Sequence, residues 1–424
     1  MADPLGARPS LSGTGDRVPT MAQTRRRSGN RNTSETHPAN ARPVAYGATG
    51  ASVGFGLALF THWLIDLIPW ITIPVDEPVF AVFVTASLAG GAAGLTLLNL
   101  RYKRAESLRA QRIMYDERYQ RAAELLGSAS DLEVMAGAQL AGALVLDSAA
   151  HAQPAADLLT ATLRRASVNL TSASQADNRR SERDVATANR LSNFITSTIA
   201  EVTRDPGSES PALAVAWRFD EIIFGDEVDF SGCHFGRATR FIACEFRGMP
   251  TFVRAHFRGD ITFARVTAPV GLSMLGLQVD GLLEIVNSDF ATPGEYFSVG
   301  IDLEGCVLES LYVYKTSSDG GLRVNGAQID GAVVVTDSSF HHLQFLDSRC
   351  NHHLRILGAS VTKDLSLRNT RARKHVTLAD CNVGEELEIV NVISQGEINV
   401  AHCRFATSRF DHEVVVSDDP DWRV

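Results

Sequence analysis

An eleven-residue repeat constrains this chain more than any other feature. It can be read in Gly225–Phe235 (GDEVDFSGCHF), Gly236–Phe246 (GRATRFIACEF) and Arg247–Phe257 (RGMPTFVRAHF). It returns in Arg373–Val383 (RKHVTLADCNV), Gly384–Ser394 (GEELEIVNVIS) and Gln395–Phe405 (QGEINVAHCRF). A fixed period of this kind marks a repeat architecture, because each unit buries its apolar face only against its neighbours. With two slips and one insertion, Ala291–Phe297, the register runs from Gly225 to Phe405, about sixteen units.

Within each unit the fourth, sixth and eleventh positions are mostly apolar and the ninth is small. The sixth and eleventh are Phe230 and Phe235, Phe241 and Phe246, then Phe252 and Phe257, with Phe263 next in line. Later the fourth and sixth become Leu354 and Ile356, Leu365 and Leu367, Val376 and Leu378, Leu387 and Ile389, Ile398 and Val400. Spacings of two suit a strand whose alternate side chains point inward, whereas a helix needs spacings of three and four along one face. Gly, Asp, Asn and Ser between the apolar pairs keep the strands short. Strands this short pair with the strand one coil later, in a parallel β-solenoid with identical positions stacked along the axis. Two units, about 22 residues, make one coil, and about eight coils give a rod roughly 40 Å long. The expected core ladder is Phe230, Phe235, Phe241, Phe246, Phe252, Phe257, Phe263, Leu354, Leu365, Val376, Leu387 and Ile398.

Phenylalanines at 224, 230, 235, 241, 246, 252, 257 and 263 alternate spacings of six and five, and a small residue such as Cys233, Cys244 or Ala255 sits two before several of them. This pattern resembles the pentapeptide-repeat proteins. The resemblance implies a right-handed parallel β-helix with the central Phe or Leu and the small preceding residue turned inward. The extra residue in alternate spacings departs from a strict count of five. The GxLxVxG texture of later units also resembles bactofilins, a polymerising β-helix type.

Residues 1–43 are rich in Arg, Ser, Thr, Asn, Gly and Pro and read as a disordered basic tail. Residues 44–100 read as a transmembrane hairpin, with apolar stretches at about 45–70 and 79–100 long enough to span a bilayer. Arg25–Arg27 and Arg42 precede the first stretch, and Arg101, Lys103, Arg104, Arg109 and Arg112 follow the second. The positive-inside rule then keeps both termini in the cytoplasm and exports only the acidic turn, which places the protein as a multi-pass bacterial inner-membrane protein. His62 and Asp66 share one helix face in the first stretch.

Residues 101–203 read as a cytoplasmic helical segment with helices at Arg101–Leu126, Asp131–Leu146, Pro154–Val168 and Asn189–Val202, interrupted by a polar linker at 169–185. The run from Glu117 to Asp147 resembles the helical module that often sits between a membrane hairpin and pentapeptide repeats in bacterial proteins. Residues 204–218 connect to the solenoid, 219–405, and 406–424 read as a C-terminal cap with Phe410, Val414–Val416 and Trp422.

Six cysteines and twelve histidines raise the question of a metal site. Cys233, Cys244, Cys306, Cys381 and Cys403 all fall on the small inward position, where a thiol acts as a compact core group. Cys350 lies beside a one-residue slip. No CxxC or clustered CxH spacing occurs, so no metal or cofactor is expected. His353 and His375 share the third position of units one coil apart and are expected to stack on the surface. No GxSxG, GxGxxG, Walker-type loop or HExxH is present, and no catalytic residue is assigned. From Phe219 onward acids exceed bases by about eleven, which disfavours direct nucleic-acid binding by the solenoid.

These readings together describe a non-catalytic membrane-anchored scaffold that presents a rigid solenoid to a protein partner, with the bilayer as its anchor. Two alternatives stand beside it. One is an acidic DNA-mimic rod that binds a type II topoisomerase, as some acidic pentapeptide proteins do. The other is a filament-forming, bactofilin-like element that assembles as a homo-oligomer through its ends.

Overall fold

The computed structural model describes residues 77–174, 179–291 and 300–410. The expected basic tail, the first apolar stretch with His62 and Asp66, most of the insertion, and residues 411–424 of the expected cap lie outside these. The chain divides into two compact units, 1–106 and 107–424.

Among the described residues four helices precede the strands: α1 (Glu77–Leu126), α2 (Asp131–Asp147), α3 (Ala152–Ser174) and α4 (Arg179–Thr203). The multi-pass membrane placement is corrected here. Among the described residues no helix is long and apolar enough to cross a membrane. The second apolar stretch is the first part of α1, which runs without a break through Arg101, Lys103, Arg104 and Glu106.

The polar linker expected at 169–185 is also corrected, because its described residues belong to α3 and α4. Tertiary packing overrides the Ser, Thr and Asn content there. Leu159, Leu163, Ala166 and Leu170 line one face of α3 at helical spacing, and Leu191, Ile195, Ile199 and Val202 line one face of α4. Small residues on α2 let it approach closely: a Cβ at Gly142 would lie 3.1 Å from methyl groups of Thr198 and Val202.

From Arg218 the chain forms a parallel β-solenoid of about eight turns. Phe219 lies against Phe241, Phe241 against Phe263 and Phe263 against Ile285, each 22 residues on. The column continues through Val313, Val335, Ile356, Leu378 and Val400. The insertion widens one step, Leu283 to Leu311, and a one-residue slip narrows another, Val333 to Leu354. Stacked rings fill the first coils, with centroids 4.7 Å apart for Phe219 and Phe241, 4.6 Å for Phe224 and Phe246, and 4.5 Å for Phe235 and Phe257.

The alternation of five and six has a backbone cause. Glu221, Gly232, Ala243, Arg254, Arg265, Gly276 and Asn287, one per eleven residues, all have φ between 49° and 67°. Each lies in a five-residue spacing, as Gly232 does between Phe230 and Phe235 and Ala243 between Phe241 and Phe246, and forms a left-handed corner that turns the chain onto the next face, whereas the six-residue spacings of the first coils hold none. Asn and Asp tolerate this conformation, and they hold the later corners at Asp337, Asp347, Asn369, Asp380 and Asn391.

The small ninth position has a cause too. Its side chain donates to a carbonyl of the preceding coil: Cys244 Sγ to Phe219 O (3.0 Å), Cys306 Sγ to Met274 O (3.0 Å), Ser348 Oγ to Val324 O (2.7 Å) and Thr370 Oγ1 to Phe345 O (2.8 Å). Only a short side chain fits between the rungs, and Ala255, Ala327 and Ala359 hold the same position without a donor. Burial pushes the Cys244 and Cys306 thiols up to about 12 and those of Cys233 and Cys381 to about 11.

The first coil would leave a row of strand donors and acceptors unpaired, and the helices cover it. The Ser167 hydroxyl accepts from Ile223 N (2.8 Å) and donates to Ile223 O (3.1 Å). The Gln153 amide does the same for Ala216, at 2.9 and 3.1 Å. Ser192 Oγ accepts from Gly225 N and Asn189 Oδ1 from Asp226 N, both at 3.1 Å. Trp217 lies flat on Phe219, 6.0 Å between centroids. At the other end the expected cap is corrected in its first residues, since 406–410 belong to the strand Arg404–Phe410, paired in parallel with Asn382–Val390. In this last described coil Val400, Phe405 and Phe410 are exposed.

Candidate interaction surface

Four faces result from four inward columns, and their outward side chains differ in kind. Face A is built by the four-residue strands Thr239–Ile242, Ile261–Ala264, Val333–Thr336, Leu354–Leu357, Val376–Ala379 and Ile398–Ala401, with the last residues of Gln278–Val286 and Val307–Tyr314 between them. These carry the longest ladders because the chain stays extended for a full edge. One outward row of face A reads Ile242, Ala264, Val286, Tyr314, Thr336, Leu357, Ala379 and Ala401. Beside it, Tyr312 and Val334 are register neighbours in the second row. Tyr312 is 40% and Tyr314 38% exposed, and the Lys315 ammonium lies 4.9 Å from the Tyr314 ring centre.

The other faces are polar. Face B presents Glu245, Thr267, Asp289, Ser317, Ser339, Ser360 and Asn382 outward. Face C carries rung-to-rung ion pairs. Arg323 Nε donates to Asp302 at 3.1 Å, and Arg368 Nη2 to Glu388 at 2.7 Å. Glu388 is 7% exposed; burial pushes its carboxyl up, but hydrogen bonds from Ser366 and Arg368 outweigh this and hold it below the usual range. Face D begins with His234 against His256, has Asp280 and Asp330 in its middle, and carries Arg349, Arg371 and Arg373 in its late coils, with Ile393 next in register after Arg371.

The ladder residues named from the sequence lie inside. Phe230, Phe235, Phe241, Phe246, Phe252, Phe257, Phe263, Leu354, Leu365, Val376 and Leu387 are at most 1% exposed, while Ile398, in the last described coil, is half-buried. His353 and His375 stack at 5.3 Å with an 8° interplanar angle. Glu397 N donates to His375 Nδ1 at 3.0 Å, so the neutral ring carries its proton on Nε2. Among the described residues no group of His, Cys, Asp and Glu could hold a metal ion. Sequence reasoning missed face A. Its signal is the seventh position of alternate units, where Val286, Tyr314, Leu357, Ala379 and Ala401 stand in a place that strand logic assigns to solvent.

Residues 219–267 match the family model described as pentapeptide repeats (9 copies). The match covers the phenylalanine-rich first coils. The later coils keep the pentapeptide-like register with aliphatic residues at the same inward columns. No curated protein and no solved structure matches the chain.

Proposed function

We propose that this protein is a non-catalytic interaction module whose solenoid holds one apolar, tyrosine-bearing sheet face toward a protein partner. The observation that carries this reading is the continuous outward row from Ile242 to Ala401 on face A, beside three faces of ordinary polar or ion-paired character. Apolar and tyrosine side chains fixed on a flat, hydrogen-bonded sheet lose little conformational freedom on binding, which favours association. Eight rungs at ~4.8 Å span about 34 Å, enough for a standard interface of ~800 Å² per partner.

Two other readings receive less support. A DNA mimic needs continuous acidic rows, yet face A begins with Arg218 and Arg240 and face D carries Arg349, Arg371 and Arg373 in its late coils. End-to-end filaments need two free edges, and the helices occupy the first one.

A photo-reactive amino acid at position 314 or 357 on face A, with position 339 or 360 on face B as control, tests the proposal in cells that express the protein. One partner cross-linked from face A alone, and lost with Tyr314→Asp, is the expected result. Equal cross-linking from both faces, or none from face A, refutes it.

A further inference from the structure

The outward ladders of the solenoid follow a rule of opposites. Groups one coil apart pair by charge: Arg240 with Asp220 (3.0 Å), His256 with Asp280 (3.0 Å), Lys363 with Glu385, and Arg368 with Glu388 (2.7 Å). In the first coil Arg218 also faces Arg240, but Asp220 pairs with Arg240; the corner between faces D and A of the late coils gathers cations with no such relief. There Arg349 faces Arg371 across adjacent strands, Lys374 lies against His352, and His353 stacks on His375. Among the described residues Arg349, Arg371, Arg373 and Lys374 form no ion pair. Like charges in register repel, so this cluster gains nothing in stability from its own neighbours. Local rules broken without structural return are the mark of a functional site.

We propose that this corner recognises a compact acidic segment of a protein partner, with Arg349, Arg371, Arg373 and Lys374 supplying charge and His353 and His375 supplying donors. This rests on the reading of the rod as an interaction module and adds the partner's chemistry. The borders of the patch select the occupant. Toward the first coils lies Asp330, held by Asn351 at 3.0 Å, and toward the last coil lies Glu397, whose N–H holds His375. A long polyanion such as duplex nucleic acid, or an anionic bilayer, would meet those carboxylates and the acidic rod beyond; a cluster of a few carboxylates fits between them.

The histidines report the field of the corner. Desolvation first, then the charges of His352, Arg355, Lys374 and His375, hold His353 below the usual imidazole range. Desolvation, Lys374 and Arg355 do the same for His352. Both are therefore neutral near pH 7. An anion stabilises their charged forms, so binding takes up protons and tightens as pH falls toward 6.

The test is fluorescence anisotropy of a labelled hexaglutamate peptide with the full chain at 50 mM salt, compared with Arg371→Glu/Arg373→Glu. Reading the difference between the two proteins leaves the Arg25–Arg27 tail out of the result. The expected result is a loss of about tenfold or more in affinity in the variant, and a gain for the wild type between pH 7.5 and 6. Should the double reversal fail to fold, Arg371→Gln/Arg373→Gln makes the same comparison. Equal peptide binding by wild type and variant overturns the proposal. So does a duplex DNA or a phosphatidylglycerol vesicle that binds the wild type more tightly than the peptide and is lost in the same variant. Loss of face A cross-links with this peptide difference intact would instead refute the partner-face reading alone.

Discussion

Phe241 is the residue on which the core logic can be tested most directly. Its ring is fully buried and stacked between Phe219, at 4.7 Å, and Phe263, at 4.9 Å. It also meets Phe246 and Phe252, at 5.9 and 5.6 Å. Phe241→Ala removes a whole ring from a column that the backbone ladders hold at fixed spacing, so the cavity cannot close. The expected cost is about 4 kcal/mol, which includes two stacked pairs of about 1 kcal/mol each. Phe241→Leu should cost no more than about 1.5 kcal/mol, because Ile285, Val313 and Ile356 fill the same column in later coils. Arg240→Ala, one residue away and outward, removes only a partly exposed pair with Asp220 and should cost less than about 1 kcal/mol. Solenoids open locally, so the assay is hydrogen exchange of the segment 239–246 rather than a global melt. Equal loss of protection in Phe241→Ala and Arg240→Ala would refute the inward and outward assignment.

Three further outcomes follow from the same geometry. A Cβ at Gly236 would lie 1.8 Å from Leu213 O, whereas Gly232 has open space and only its φ of 67°. Gly236→Ala should therefore loosen the cap at Pro211–Ala214, and Gly232→Ala should cost only about 1 kcal/mol; exchange rates of 211–218 separate the two. Glu388 has a folded carboxyl held below its ordinary value, so its contribution is present at neutral pH and lost as pH falls through the folded value. The melting temperature of Glu388→Gln should lie below that of the wild type at pH 7 and converge with it as the pH falls through the lowered folded value; a gap that does not narrow refutes the linkage. Thiol titration at pH 8 should modify Cys403, which is half-buried, ahead of Cys244 and Cys306, whose thiols are buried and pushed up to about 12. Rapid native-state reaction at Cys244 or Cys306 would contradict the hydrogen bonds drawn for them.

Much of the solenoid was legible in the chain because its rule is local and repeated. A strand alternates sides every residue, and a unit that recurs every eleven residues must stack like on like. The periodicity of Phe230 to Phe263, and of Leu354 to Ile398, was therefore enough to assign the inward columns before any coordinates. The tertiary structure decided what local pattern cannot carry. Left-handed corners at Ala243, Arg254 and Arg265 have no residue signature, since Ala and Arg rarely adopt that conformation. Helical continuation across much of 169–185 depends on apolar partners far away in sequence, and it overrode a polar composition. The contrast between the neutralised rungs and the repelling corner at Arg349, Arg371 and Lys374 exists only between coils, where a residue meets another 22 positions away. Hydrophobicity alone also suggested a membrane hairpin, yet among the described residues no helix is long and apolar enough to cross a membrane. Inward periodicity is a property of the chain; which outward side chains share a face, and with what charge, is a property of the fold.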